Sequence, residues 1–217
     1  MRNPPVRLIA LAAIALLTLA AFWSYQWQAD PLSEDEIDAY MAQIEAQTQQ
    51  PGGRHDLPAL RRFLESDDGR PVYTVNLYAF HESADYPESS NLDGSGEDAY
   101  ARFARVMVPL MLERGSHPIF SSTSTDSFSS AWDRIVIVRY RNRRALVDLF
   151  ATDAFAEASR HKWASIRRHE RLLVQGLHLP GGGWVIALIS IILAGLVWWS
   201  RAWFSGRTAT RSTRQRA

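Results

Sequence analysis

Asp133-Arg134-Ile135-Val136-Ile137-Val138-Arg139-Tyr140 places four β-branched residues in a row with no helical spacing among its apolar positions. Branching at Cβ favours a pleated strand, and apolar side chains on both faces require cover on both sides. Helices over one face leave the other to a second partner, most simply another copy of the same sheet. Val72–Phe80, rich in β-branched and aromatic residues, reads as a companion strand. Tyr73, Val75, Leu77 and Ala79 make one of its faces. Val72, Thr74, Asn76, Tyr78 and Phe80 make the other, which is expected to turn away from the helices and line the space between two sheets.

Outward from these strands, a helix is predicted over 95–114, with Tyr100, Phe103, Val106, Met107, Leu110 and Met111 on its apolar side and Pro109 inside it. Gly115 stops it, and His117–Ser121 makes a short strand. Residues 121–130 contain eight Ser or Thr and read as a flexible connection. A broken helical stretch from Arg143 to about Arg168 leads to a last strand over Glu170–Leu177. The order β-α-β-β-α-β is the ferredoxin-like split pattern, an α+β fold. Ahead of it, Ser33-Glu34-Asp35-Glu36 forms a capping box for a helix carrying Ile37, Tyr40, Met41 and Ile44 at i, i+3, i+4 and i+7. A second short helix carries Leu57, Leu60, Phe63 and Leu64. The pair reads as a collar on the main domain.

Two stretches suggest membrane helices. Leu8–Ala29 holds 22 residues without a formal charge, ending in Phe22, Trp23, Tyr25 and Trp27; 172–200 holds 29, with Trp184–Ser200 as its core. A cleaved signal peptide is the alternative for the first, with Thr18 and Ala20 as a weak cleavage site. Arg2 and Arg7 precede the first stretch and five arginines follow the second, whereas no Lys or Arg occurs at 8–53 or 172–200. That asymmetry predicts a cell-membrane protein with two spans, both termini cytoplasmic and the domain periplasmic or extracellular. The chain then divides into a cytoplasmic N-terminus (1–7), a transmembrane helix (8–27), the helical collar (28–70), the ferredoxin-like domain (71–180), a hinge with a second transmembrane helix (181–200) and a basic cytoplasmic tail (201–217) suited to anionic lipid.

The net charge is +1, but residues 31–200 carry 17 basic and 22 acidic groups. A nucleic-acid protein needs a dominant basic surface, so that class is set aside. With no cysteine there is no disulfide scaffold, thiolate metal site or cysteine nucleophile. Residues 31–100 hold 15 acids and 4 bases, and 101–180 hold 13 bases and 7 acids. Complementarity between the two parts explains this more simply than an anionic partner does, although Arg139, Arg141, Arg143 and Arg144 cluster after the strong strand. Gly94-Ser95-Gly96-Glu97-Asp98-Ala99 has the spacing of a dinucleotide loop, but its acids suit a helix N-terminus and repel a pyrophosphate. Glu157 and His161 share a helix face without a third ligand, and His81-Glu82 lacks the second histidine of a zinc protease, so no metal site is expected.

From Pro71 to about Leu177 the chain resembles the dimeric α/β-barrel superfamily, nearest to the DUF1330-type domains. VYTVNLYAF at 72–80, Arg114-Gly115, WDRIVIVRY at 132–140 and the run Phe155 to Trp163 ending in His161-Lys162-Trp163 carry the likeness. It implies a homodimer and a cleft, with Asn76, Tyr78, Arg139, His161 and Trp163 as candidate cleft residues. Some members bind haem through a helix histidine, and some use a strand Asn and a Trp, which makes haem an alternative to no cofactor. Each residue also has a plainer reading. Asn76 suits a hydrogen bond across the sheet, Arg139 an interface ion pair, and His161 a surface hydrogen bond. Because no nucleophile–base pair or metal set is visible, the expected role is a non-catalytic binding or interaction module with room for a small ligand. The alternative is a small-molecule enzyme, cofactor-free or haem-dependent, using the cleft.

Overall fold

The computed structural model describes residues 6–26, 28–48, 54–123 and 131–176, and beyond these 189, 191–192, 195–196 and 198–199. The chain divides into two units, Gln26–Gly176 and a terminal unit drawn from Met1–Tyr25 and Leu177–Ala217.

Gln26–Gly176 begins with α2 (Glu34–Gln47) and α3 (Leu57–Glu65), after α1 (Val6–Tyr25) in the terminal unit. Strand β1 (Val72–Phe80), helix α4 (Gly96–Glu113), strands β2 (His117–Thr123) and β3 (Arg134–Tyr140), helices α5 (Arg143–Phe150) and α6 (Asp153–Ser165), and strand β4 (Ile166–Val174) follow. The strands form an antiparallel sheet in the order β2-β3-β1-β4.

Local chemistry sets each boundary. Ser33 and Ser95 each cap a helix reciprocally, through Glu36 and Asp98 respectively. Asn142 and Thr152 cap α5 and α6, dividing the helical stretch at Ala151. Gly96, at the start of α4, lies so close to the residue after β1 and to the end of α6 that an added Cβ would stand 2.4 Å from the His81 carbonyl oxygen and 2.6 Å from that of Ser165. Only glycine admits this approach.

The collar is joined to the domain by polar contacts, one of them buried. Gln43 and Gln47 donate to the Ala151 carbonyl at 2.9 and 2.7 Å. Arg144 pairs with Glu36, and Arg143 donates to the Phe63 carbonyl and to Ser66. Two arginines of the cluster after β3 are therefore used within the chain, by the acidic N-terminal part.

Several expectations need correction. The face of β1 bearing Thr74, Asn76 and Tyr78 looks toward the helices, not away from them. Asn76 and Tyr78 are 6% and 3% exposed, and their register partners on β3 include the buried Val136. Aromatic volume decides this. Tyr78 and Phe80 fill the layer beneath α4, with ring centroids 5.1 and 5.4 Å from that of Tyr100. The last strand starts at Ile166, earlier than expected, and α6 runs into it without a loop. Ile166-Arg167-Arg168-His169-Glu170-Arg171 puts polar groups on both faces, which hides the alternation.

The two flanking transmembrane helices, and with them the membrane keywords and the two-span topology with cytoplasmic termini, are not supported. Among the described residues no helix is long and apolar enough to cross a membrane. In α1 the purely aliphatic-and-threonine run is Leu8–Ala21, between Arg7 and the Phe22-Trp23-Ser24-Tyr25 end. Fourteen residues at 1.5 Å each give about 21 Å, short of the ~30 Å hydrocarbon core. The second expected span (181–200) and the tail (201–217) lie mostly or wholly outside the described residues, as does 124–130 of the serine-rich connection.

Candidate functional site

Between the sheet and the α4–α6 layer lies a cavity of about 250 Å³. Its sheet side is Thr74, Asn76 and Tyr78 from β1, Val136, Val138 and Tyr140 from β3, and Arg171 from β4. Tyr100, Phe103, Met107 and Met111 from α4 form one wall, and Phe155, Ser159, Lys162 and Trp163 from α6 form another. Arg54 and Arg171 are exposed and stand at its mouth. Among the described residues no Asp or Glu lines it.

Lys162 is the chemical centre of this cavity. Residues 155, 159 and 162 fall on one helical face, which buries Lys162 against the sheet at 7% exposure. Its ammonium lies 4.8 Å from the ring centroid of Trp163, 5.8 Å from Phe103 and 5.9 Å from Tyr78. Among the described residues it has ring faces around it and no hydrogen-bond acceptor or carboxylate. Burial, with Arg171 adding like-charge repulsion, pushes its pKa well below the ordinary lysine value. One turn earlier on the same face, the Ser159 hydroxyl is fully buried and has no partner among the described residues.

The sheet holds this centre through a polar chain. Asn76 donates to the Val136 carbonyl at 3.2 Å and to Thr74 Oγ1 at 3.0 Å, and its Oδ1 lies 3.3 Å from His169 Nε2. His169 stacks on Tyr78 at 4.9 Å. Burial, then Lys162 and Arg171, lower the His169 pKa to about 3. Burial, then Arg171 and Lys162, lower that of His55 to about 4. Both imidazoles are therefore neutral at physiological pH. Burial raises the Tyr140 phenol to about 12 and Tyr78 well above its ordinary value. The cavity thus contains no resident anion.

Of the residues singled out in the sequence, Asn76, Tyr78 and Trp163 meet at this cavity. Asn76 acts as a cross-sheet hydrogen-bonding group. Arg139 does not join them; it pairs in register with Tyr73 on the opposite face of the sheet. His161 also lies outside the cavity lining, with Nδ1 2.7 Å from the Tyr86 hydroxyl. Asn76 and Trp163 thus share the cavity lining, and His161 stands outside it. Glu157 pairs with Arg160 at 3.8 Å instead of with His161.

Sequence reasoning missed Lys162, Ser159, His55, His169 and Arg171. A signal for the first was present. The chain has 24 Lys and Arg, and Lys162 is its only lysine. A protein that uses arginine at every other cationic position keeps a primary amine at this one.

No family model matches the chain, and no curated protein matches it. Solved structures do share its fold. The RPA0582 protein of unknown function from Rhodopseudomonas palustris is 20% identical with a TM-score of 0.52, covering 58% of this chain and 97% of that one. The methylated RPA0582 protein is 21% identical with a TM-score of 0.51, covering 59% of this chain and 96% of that one. At this identity the likeness is one of fold.

Proposed function

We propose that the domain binds a small organic anion with a flat apolar body, which enters the cavity past Arg54 and Arg171. The observation that carries this reading is the buried ammonium of Lys162, enclosed by aromatic rings and lacking an anionic partner. A buried charge without a counter-ion is costly, and a carboxylate held at Arg171 brings negative charge to a cavity whose described lining has none. Size agrees. A cavity of about 150 Å³ admits benzene, so 250 Å³ accommodates a ring bearing a carboxylate.

Thermal unfolding with benzoate, set against the neutral benzyl alcohol, tests this. Benzoate should raise the Tm, with a stabilisation of about 2.7 kcal/mol at 100 times its Kd, and benzyl alcohol should do much less. Equal effects, or none, would remove the reading.

The finer assignment, a DUF1330-like domain that pairs as a dimeric α/β barrel, rests on the sheet face away from the helices. Val75, Leu77, Ile135, Ile137, Leu172 and Val174 share that face, and Ile135, Leu172 and Val174 are among the exposed apolar residues. Apolar patches of this kind mark interfaces. The proposed partner is a second copy of this chain.

A further inference from the structure

The binding reading leaves open why the cationic group in the cavity is a primary amine. A guanidinium would hold a carboxylate with two hydrogen bonds and could not lose its charge. Lys162 is the only lysine of the chain, and it lies deeper than Arg171, which occupies the mouth. An amine among rings, without an acceptor, is placed as a nucleophile whose lone pair is not held by the protein.

We infer that Lys162 captures a carbonyl group, forming an imine with the aldehyde or ketone of a small organic anion whose carboxylate is held by Arg171 at the cavity mouth. This rests on the anion-binding reading and assigns its substrate class, an oxo acid or formyl acid. The neutral amine attacks the carbonyl carbon, the C–N bond forms, and the C=O π pair moves to oxygen. That oxygen takes a proton from the nitrogen to give a carbinolamine. A second proton transfer expels the hydroxyl as water and leaves C=N. One amine and one carbonyl become one imine and one water, with no oxidant or reductant. Ser159, whose buried hydroxyl has no partner, is placed on the same helix face to hydrogen-bond the carbinolamine oxygen. The lowered basicity of Lys162 supports the step, because it populates the neutral amine.

The full chain is incubated with 4-formylbenzoate and reduced with cyanoborohydride. Intact mass and peptide mapping then locate the secondary amine that results. The α-amino group is the only other primary amine and serves as the internal comparison. The expected result is one adduct, on Lys162, formed at least tenfold faster than with benzaldehyde and slowed at least tenfold by Arg171→Met. Lys162→Met, verified as folded by circular dichroism, should give no adduct beyond the α-amino group. Modification of the α-amino group alone, while benzoate still raises the Tm, would overturn the imine and leave the binding reading intact. No modification of Lys162, together with no benzoate effect, would remove both. An adduct on Lys162 formed as fast with benzaldehyde would overturn the assignment of the anion to Arg171.

Discussion

At Lys162 the fold carries a cost that a purely structural residue would not impose. Its pKa lies well below the ordinary 10.5 because of burial and Arg171. Above that ordinary value the amine is neutral in both folded and unfolded chains. As the pH falls, the unfolded chain takes up its proton first, so stability is lost until the folded amine is protonated too. Lys162→Met should therefore raise stability at neutral pH by about 0.5–2 kcal/mol, the usual gain when a functional constraint is relieved. Urea titrations between pH 7 and 10.5 should show a slope in the parent that the variant lacks. The histidines act over a different range. His55 and His169 fall from 6.5 to about 4 and about 3, so their stabilising contribution is complete above 6.5 and is lost as the pH drops toward those values. His169→Gln keeps a group able to pair with Asn76 and removes the titration. Its acid unfolding should be shallower over this window, and an unchanged profile would show that His169 is not held neutral by the fold.

At the scale of elements, local signals were easy to read and the direction of each face was not. Val72–Phe80, the capping box at Ser33 and the helix start at Ser95 stand where their residue types place them. Which face of β1 meets the helices could not be read from alternation, since both faces carry apolar residues and Asn76 looks polar enough for a cleft. The aromatic stack of Tyr78, Phe80 and Tyr100 settled it, through contacts that exist only after folding. The same reversal separated Arg139 from the site. On α6, His161 and Trp163 carry the more conspicuous chemistry, but Lys162 between them is the residue that points inward. Gly96 tests the packing of the start of α4 on the chain after β1 and the end of α6. Its missing Cβ would meet backbone oxygens, which cannot rotate away. Gly96→Ala should destabilise the domain by about 1–3 kcal/mol in chemical denaturation, despite alanine's better helix propensity. A neutral result would mean that the start of α4 is free to shift from His81 and Ser165.

For the whole molecule, the two faces of β3 provide a direct comparison. Val136 and Val138 are buried beneath the helices at 6% exposure each, whereas Ile135 is 36% exposed on the other face. Glutamate at Val136 and Val138 together should unfold the chain, since two unpaired carboxylates cannot be buried. Glutamate at Ile135 and Ile137 should leave it folded but abolish self-association in sedimentation, if a second copy covers that face. A parent chain that sediments as a monomer would remove the dimer. The membrane reading shows the limit of composition at this scale. Uncharged length suggested two spans, but counting the aliphatic run of α1 gives too short a core. The proposed function turns on one amine, and that amine can be observed alone. Labelling with ε-carbon-13 lysine gives a single side-chain signal, because Lys162 has no counterpart elsewhere in the chain. Followed against pH, its shift should titrate with a midpoint well below 10.5, and benzoate should move that midpoint upward. A signal that titrates near 10.5 and ignores benzoate would contradict both the buried site and its anion.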